Sequence, residues 1–415
     1  MTCRLCNSKN LSLFLDLGHH PPSDQFVKKE RLNNEFAYYP LKVNICNNCK
    51  FHQLNYVVKK EILYDEEYPY ESSQTKVGNQ HFNNFANSVI KKYKLDKKDL
   101  VVDIGSNIGV LLNGFKKNKI QVLGIEPASN ICKIAKKKGI NTYCSFFNNN
   151  IVNKIITKFG KAKIVTATNV FAHIDDLQNF TKSICRLLDK KGAFIIEAPH
   201  FLNLIKKIEY DTIYHEHLSY ITIKPLISFF SKFKLEIIDV EKKDIHGGSV
   251  RIHVAFKNQH TVNKNVKNII KEEKNAKLDS KKVLENFSQE VKKNRSNLIL
   301  LLTKLKLNNK TIVAVSAPAK GMTLLNYCKI DKTYLDFATE KSKLKQNTFA
   351  PGAHIPVTSD SKLLSQKIDY ALLLAWNFSK EIINNNVKFM QNGGKFIIPI
   401  PKIKIIDKKN YKKVN

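Results

Sequence analysis

Two Cys-x2-Cys pairs, Cys3/Cys6 and Cys46/Cys49, constrain the fold of this chain more than anything else in it. Each pair sets two thiolates on one tight turn, and two such turns close a tetrahedral site around one zinc ion. The 39 residues between the pairs exceed the span of a short zinc ribbon, so structure is inserted between the knuckles. A redox role is the competing reading. It calls for one CxxC at a helix N-terminus, not two in a segment that also carries Pro21-Pro22. Structural zinc on Cys3, Cys6, Cys46 and Cys49 is therefore expected. A closed four-cysteine shell has no open coordination position, so the metal would stabilise the fold and take no part in chemistry. The other thiols, Cys132, Cys144, Cys185 and Cys328, sit in apolar surroundings and read as core residues.

A chain of 415 residues, 43% of them hydrophobic, has enough apolar material for two to three folded domains at about 150 residues each, which excludes global disorder. Its net charge of +33 asks for a polyanionic partner. Yet of its 69 basic residues only Arg4, Arg31, Arg186, Arg251 and Arg295 are arginine, the residue that reads bases bidentately. The lysines are spread along the whole chain among many Asn and Ile, as a solvated surface would be, so no nucleic-acid partner is expected. The rival from that class is a lysine-rich, zinc-containing nucleic-acid binder whose Rossmann-like units have lost catalysis. The start, Met1-Thr2-Cys3-Arg4-Leu5-Cys6, has no leader pattern, and no apolar run approaches the roughly 18 residues of a membrane span. The expectation is a cytoplasmic protein without a membrane partner.

Composition shifts divide the chain. Residues 1–70 hold the paired cysteines and end Tyr-rich. From 71 to 257 strand and helix alternate: Leu100 to Gly105, a helix near 108–117, then Gln121 to Glu126, with further apolar runs at 163–168, 193–198 and 235–240 that fit buried parallel strands. That alternation predicts a doubly wound α/β sheet. Residues 258–306 carry apolar residues at helical spacing (Leu284, Phe287, Val291), so helices and not a floppy linker join the next unit. In 307–415 the runs Thr311–Ser316, Tyr370–Ala375 and Lys395–Ile400 read as strands and Met322–Cys328 as a helix, a second Rossmann-like unit.

Asp103-Ile104-Gly105-Ser106-Asn107-Ile108-Gly109 joins a predicted strand to a helix. Its glycines let the backbone turn tightly beside a ligand at a helix N-terminus. Glu126 ends the next strand, where a carboxylate accepts hydrogen bonds from two ribose hydroxyls. Gly105-x-Asn107-x-Gly109 is not the GxGxxG of dinucleotide sites; it looks like the loop of class I S-adenosylmethionine (SAM) methyltransferases, with Asp103 near the amino-acid end of the cofactor.

The succession CRLC, CNNC, EEYPYESS, VVDIGSNIGVLL, GIEPA, NVFAHIDDL, DTIYHEHLSY, IHGGSVRIHVA, APAKGMTLLNY and PGAHIPV resembles, in order and over nearly the whole chain, the three-domain SAM-dependent sugar C-methyltransferases that act on nucleotide-linked keto-deoxysugars. The resemblance implies an α/β architecture: an N-terminal zinc-binding domain (1–70), a central Rossmann-like class I methyltransferase domain (71–257), a helical connector (258–306) and a C-terminal Rossmann-like substrate-binding domain (307–415). It implies SAM and structural zinc as cofactors and a nucleotide sugar as substrate. Three positions depart from the family's pattern: Ile108 where Asp is frequent, Ser316 where Gly is common, and Glu340 where Asp is usual.

Tyr214-His215-Glu216-His217, bracketed by Asp211 and Tyr220, concentrates polar groups at a cost that solvent, a metal or a substrate must offset; a surface turn with hydrogen-bonded histidines is the plain alternative. A metal site is disfavoured, because adjacent residues point in different directions. C-methylation needs a base to remove the proton beside a ketone, and histidine titrates in the right range. The resemblance assigns the base to His217, with Glu216 orienting it or relaying the proton and Tyr214 binding the sugar or its phosphates. It makes Tyr70 and His173 donors to the enolate oxygen, Tyr68 being the lesser tyrosine candidate. Asn169, past a predicted strand end, Lys320 at a predicted helix start, and His246 beside Gly247-Gly248 are the candidate substrate contacts. A sugar O-methyltransferase needs the same cofactor but no carbon acid and is the nearest alternative.

Overall fold

The computed structural model describes residues 1–64, 68–72, 76–245 and 247–414. Three sheets organise them. In the first, β1 (Leu11–His20) pairs antiparallel with β2 (Tyr39–Cys46), and β2 with β3 (His52–Leu54). The hairpin of β1 and β2 is the structure inserted between the two knuckles.

The central sheet contains β4 (Leu100–Ile104), β5 (Gln121–Glu126), β6 (Thr142–Cys144), β7 (Ala162–Thr168) and β8 (Leu188–Pro199). The chain then crosses to the first sheet, where β9 (Ser219–Tyr220) pairs with β3. It returns as β10 (Leu235–Lys243) and β11 (Ser249–Phe256), giving the order β10-β11-β8-β7-β4-β5-β6. β4 is buried at every position, as expected of a parallel strand covered on both faces. The run at 235–240 departs from its expected parallel pairing. β10 bonds only to β11, which is antiparallel to both β10 and β8. β11 carries Arg251 and His253 in its apolar run, and these polar residues hide its strand character in the sequence.

The third sheet holds β12 (Ile312–Val315), β13 (Ala338–Glu340), β14 (Val357–Ser359), β15 (Tyr370–Leu373), β16 (Lys395–Ile398) and β17 (Lys404–Ile406), in the order β14-β13-β12-β15-β16-β17. Two helices, Lys264–Asn275 and Lys281–Leu307, connect it to the central sheet. The second buries Leu284, Phe287, Val291, Leu298, Leu302 and Leu305, one stripe at steps of three, four and seven.

The three units share cores. One apolar cluster joins Leu15, Val43 and Leu54 of the first sheet to Tyr210, Ile213 and the β12 and β15 strands of the third. Another joins Cys3, Leu5 and Phe51 to the central sheet. In each open sheet the strand order reverses at one place, between β4 and β7 and between β12 and β15, and ligands of such sheets bind in that crevice.

Two cysteines expected to be plain core residues are bonded to each other: Cys132, on the Ser129–Lys137 helix, and Cys144, at the end of β6. Residues twelve apart reach bonding distance only because the chain reverses between that helix and the edge strand. Cys328 is buried, as expected of a core residue, whereas Cys185 is only half-buried and packs against the central core.

Candidate functional site

The knuckles form as their spacing predicts. Asn7 (φ 62°) and Lys50 (φ 64°) end the two turns in the left-handed region. Each returns its N–H 2.8 Å to the first cysteine's carbonyl, Asn7 to Cys3 and Lys50 to Cys46. The four sulfurs all lie within 4.8 Å of one another, with Cys3–Cys49 at 3.5 Å and Cys6–Cys46 at 3.6 Å. Zn–S bonds of about 2.3 Å put tetrahedral sulfurs slightly under 4 Å apart, so this donor set fits zinc. None of the four lines the large cavity between the two open sheets. Between them, Arg4 turns inward: its Nη1 donates to the carbonyls of Leu54 (2.9 Å) and Leu218 (3.2 Å), and its Nε to Asp175 (3.1 Å). The knuckle thereby grips the residue that follows His217.

A cavity of about 1100 Å³ lies where the crevices of the two open sheets face each other, walled on a third side by residues 57–64. On the central side the loop after β4 needs both its glycines. Gly105 (φ 65°) and Gly109 (φ 80°) are left-handed, and a Cβ on Gly105 would collide with Val170. Asp103, 4% exposed, accepts a 2.6 Å hydrogen bond from Thr166 Oγ1. Glu126, equally buried, accepts from the Asn107 and Ala128 N–H groups, both at 2.9 Å. Each of its oxygens keeps a lone pair for a diol. Burial pushes both carboxyls up to about 7, opposed less strongly by the Thr166 hydroxyl at Asp103 and by the Ala128 and Asn107 N–H groups at Glu126. Asn107 (φ 49°) turns its side chain to the N–H groups of Ile108 (2.9 Å) and Ser72 (2.8 Å), and its Nδ2 to the Tyr70 carbonyl (3.0 Å). Ile108 packs with Ala128 and Ile131 and does not line the cavity. These groups fit SAM: buried carboxylates for its ribose and amino-acid ends, and a glycine loop open to close approach.

The Tyr214–His217 turn divides its side chains as adjacent residues must. Tyr214, Glu216 and His217 line the cavity; His215 points back to the first sheet, its Nε2 3.3 Å from the Tyr39 carbonyl. His217 Nδ1 lies 2.7 Å from the Thr212 carbonyl, which places the ring proton on Nδ1 and the basic lone pair on Nε2. Tyr214 packs on that ring at 4.0 Å between centroids, and His173 approaches at 5.0 Å. Both oxygens of Glu216 are buried without a hydrogen-bond partner. Burial, reinforced by Asp24, raises its carboxyl to about 8.

Of the other expected residues, Asn169 (φ 55°) lines the cavity with Oδ1 buried and unpartnered. Lys320 opens the Ala319–Cys328 helix on the third sheet's side. Its ammonium sits 4.0 Å over the Trp376 ring and 3.4 Å from Asp211, which also accepts from Trp376 Nε1 at 2.6 Å. Tyr70 lines the cavity but is 41% exposed, whereas the hydroxyl beside His173 belongs to Tyr64, 2.8 Å from Nδ1. His246 lies outside the described residues. Sequence reasoning missed Tyr64 and Asp24. Tyr64 shares the Tyr-rich segment with Tyr68 and Tyr70, the one signal that pointed near it. Asp24 stands outside every motif singled out, and its side chain is paired across the molecule with Lys345 at 2.9 Å.

Known proteins agree with this layout. Family models match a putative zinc-binding domain at residues 3–64, a methyltransferase domain at 80–240 and a C-methyltransferase C-terminal domain at 244–401. The C-methyltransferase NovU of Streptomyces niveus is 31% identical over 405 residues, 97% of this chain and 96% of that protein. Among solved structures, an S-adenosylmethionine-dependent methyltransferase from Clostridium acetobutylicum is 15% identical, covering 44% of this chain and 93% of its own at a TM-score of 0.36. Magnesium protoporphyrin IX methyltransferase from Synechocystis, with bound SAH, is 13% identical over 45% of this chain and 90% of its own, at 0.35. Both are too remote to bear on the fold. Among the described residues no helix is long and apolar enough to cross a membrane. With a zinc-binding, a methyltransferase and a C-terminal domain in the same order and a relative matched from end to end, the chain belongs to the SAM-dependent C-methyltransferase family.

Proposed function

We propose that this enzyme methylates the carbon beside the keto group of a nucleotide-linked keto-deoxysugar, with His217 as the base. The observation that carries the reading is the convergence of His217, Glu216, Tyr214 and His173 on the same cavity as Asp103 and Glu126. When bound, SAM supplies an electrophilic methyl group; Asp103, Asn107 and Glu126 hold its amino-acid and ribose ends. His217 Nε2 takes the α-proton, and the C–H electron pair moves into an enolate whose charge rests on the carbonyl oxygen. His173 and Tyr70 are the candidate donors to that oxygen. The cavity's apolar walls exclude water, and in such a low-dielectric site hydrogen bonds to the developing charge act more strongly than in water. The nucleotide lies toward the third sheet. Lys320, already neighbouring Asp211, is the cation there for the diphosphate, and Asn169 meets the sugar from the opposite wall. Glu216, neutral below about pH 8, is suited to donate a hydrogen bond or to pass a proton on.

NMR of keto-deoxysugar nucleotides incubated with the enzyme and S-adenosylhomocysteine (SAH) in deuterium oxide tests the base. Wild type should exchange the α-proton, and His217→Asn should abolish exchange. Exchange at the wild-type rate in the variant removes His217 as the base. Turnover with no α-exchange in wild type favours O-methylation.

A further inference from the structure

The cavity holds two histidines, and a different partner fixes Nδ1 in each. For His217 that partner is a carbonyl. For His173 it is the Tyr64 hydroxyl, 2.8 Å away, with the two rings 20° from parallel. A neutral imidazole has one N–H and one lone pair. A phenol O–H is the more acidic donor and an imidazole nitrogen the stronger acceptor, so Tyr64 donates and His173 Nδ1 accepts. The ring proton then sits on Nε2. That nitrogen is buried without a hydrogen-bond partner, on a residue that lines the cavity. Leaving a buried polar group in this way is unfavourable, which is consistent with a site that a ligand acceptor completes. Burial, with His217 adding to it, holds His173 well below the usual histidine range, so the ring stays neutral.

We propose that Tyr64 is a positioning residue that locks His173 as its Nε2–H tautomer, so that His173 presents a neutral hydrogen-bond donor to the enolate oxygen. This rests on the enolate reading above. Two adjacent imidazoles thereby divide the work. His217, with its proton on Nδ1, accepts the substrate proton at Nε2. His173, with its proton on Nε2, stabilises the charge left on oxygen. The α-proton ends on His217, the C–H electron pair in the enolate, and the His173 and Tyr64 protons stay where they began. A neutral donor also avoids setting a second positive ring 5.0 Å from the imidazolium that forms on His217.

The test is NMR of the full-length, zinc-loaded protein with ¹⁵N-labelled histidine, the His173 signals identified by their loss in His173→Gln. The expected result is a ring protonated on Nε2 and unchanged from roughly pH 6 to 8. Tyr64→Phe should release that tautomer and slow α-deuterium exchange about ten- to hundredfold, with SAH affinity unchanged. His173→Gln, which keeps an N–H, should exchange faster than His173→Ala; this comparison stands even if Tyr64→Phe does not fold. Protonation on Nδ1 in wild type, a released tautomer without slower exchange, or equal rates in the Gln and Ala variants overturns the proposal. Absence of exchange in wild type defeats the enolate reading instead, while the tautomer measured on the free protein still decides the part played by Tyr64.

Discussion

In both open sheets a glutamate at the end of a strand reaches back to the loop after the neighbouring strand, and the two carboxylates end in different states. Glu126 accepts two backbone N–H bonds, one on each oxygen. Glu340 accepts three: Ala317 at 2.8 Å on one oxygen, Lys341 at 2.7 Å and Ser342 at 3.0 Å on the other. A carboxylate offers about four acceptor sites, so Glu126 retains what a ribose diol needs and Glu340 retains little. The loops differ in the same sense. The central loop turns on two glycines, whereas its counterpart turns on Ser316 (φ 69°) and has its Ala317 carbonyl tied by Lys345 at 3.0 Å. One architecture thus leaves backbone and carboxylate acceptors open toward the cavity in one sheet, as the proposed SAM site requires, and in the other consumes its backbone internally and presents side chains such as Lys320.

Three measurements test that contrast. The largest effect is expected at Lys345, 4% exposed, whose ammonium also pairs with buried Asp24. Lys345→Met leaves that carboxylate unpaired and should cost about 4 kcal/mol of stability, seen as a lower thermal midpoint, with SAH affinity intact. An unchanged midpoint would mean that the third sheet's loop is not held in this way. Next, Glu126→Ala should weaken SAH binding in calorimetry by about 3 kcal/mol, two charge-assisted hydrogen bonds' worth, while Glu340→Ala leaves it alone. Equal losses would make the two carboxylates equivalent and erase the distinction.

The smallest effect is on pH. The Glu126 carboxyl, raised to about 7 by burial, must be ionised to accept from two hydroxyls. SAH affinity should therefore climb about tenfold between pH 6 and 8 and level off above. The sign for the free protein is opposite. The folded chain keeps a proton that the unfolded chain releases near pH 4, so this carboxyl's stability contribution is present in acid and lost as pH rises through about 7. SAH should offset that loss, and a flat affinity profile would place Glu126 outside the ribose site.

Much of this was legible in the residues. The strand runs at 100–105, 121–126 and 163–168 appear within a residue or two of β4, β5 and β7, because a parallel strand buried on both faces must be apolar throughout. The zinc pairs and the Gly105–Gly109 loop were legible for a similar reason: their geometry is written in a few contiguous residues. Other features were not. β9, two residues long, carries no periodicity, yet it joins the Tyr214–His217 turn to the zinc unit's sheet. Ile108 departs from the family's pattern in the sequence, and only the structure shows that it packs with Ala128 and Ile131. The sequence motifs point to Tyr70, with Tyr68 second; only packing brings Tyr64 to His173 across more than a hundred residues.

The sequence alone therefore determined the kinds of unit present, their order and the chemistry available to each, since propensity, apolar period and ligand spacing act over a few neighbouring residues. The tertiary structure decided which of these meet: the two crevices face one cavity, Arg4 carries the zinc knuckle's hold to Leu218, and Asp24 finds Lys345. Such contacts depend on how whole layers pack and on which buried polar groups find partners there, and no local pattern encodes that.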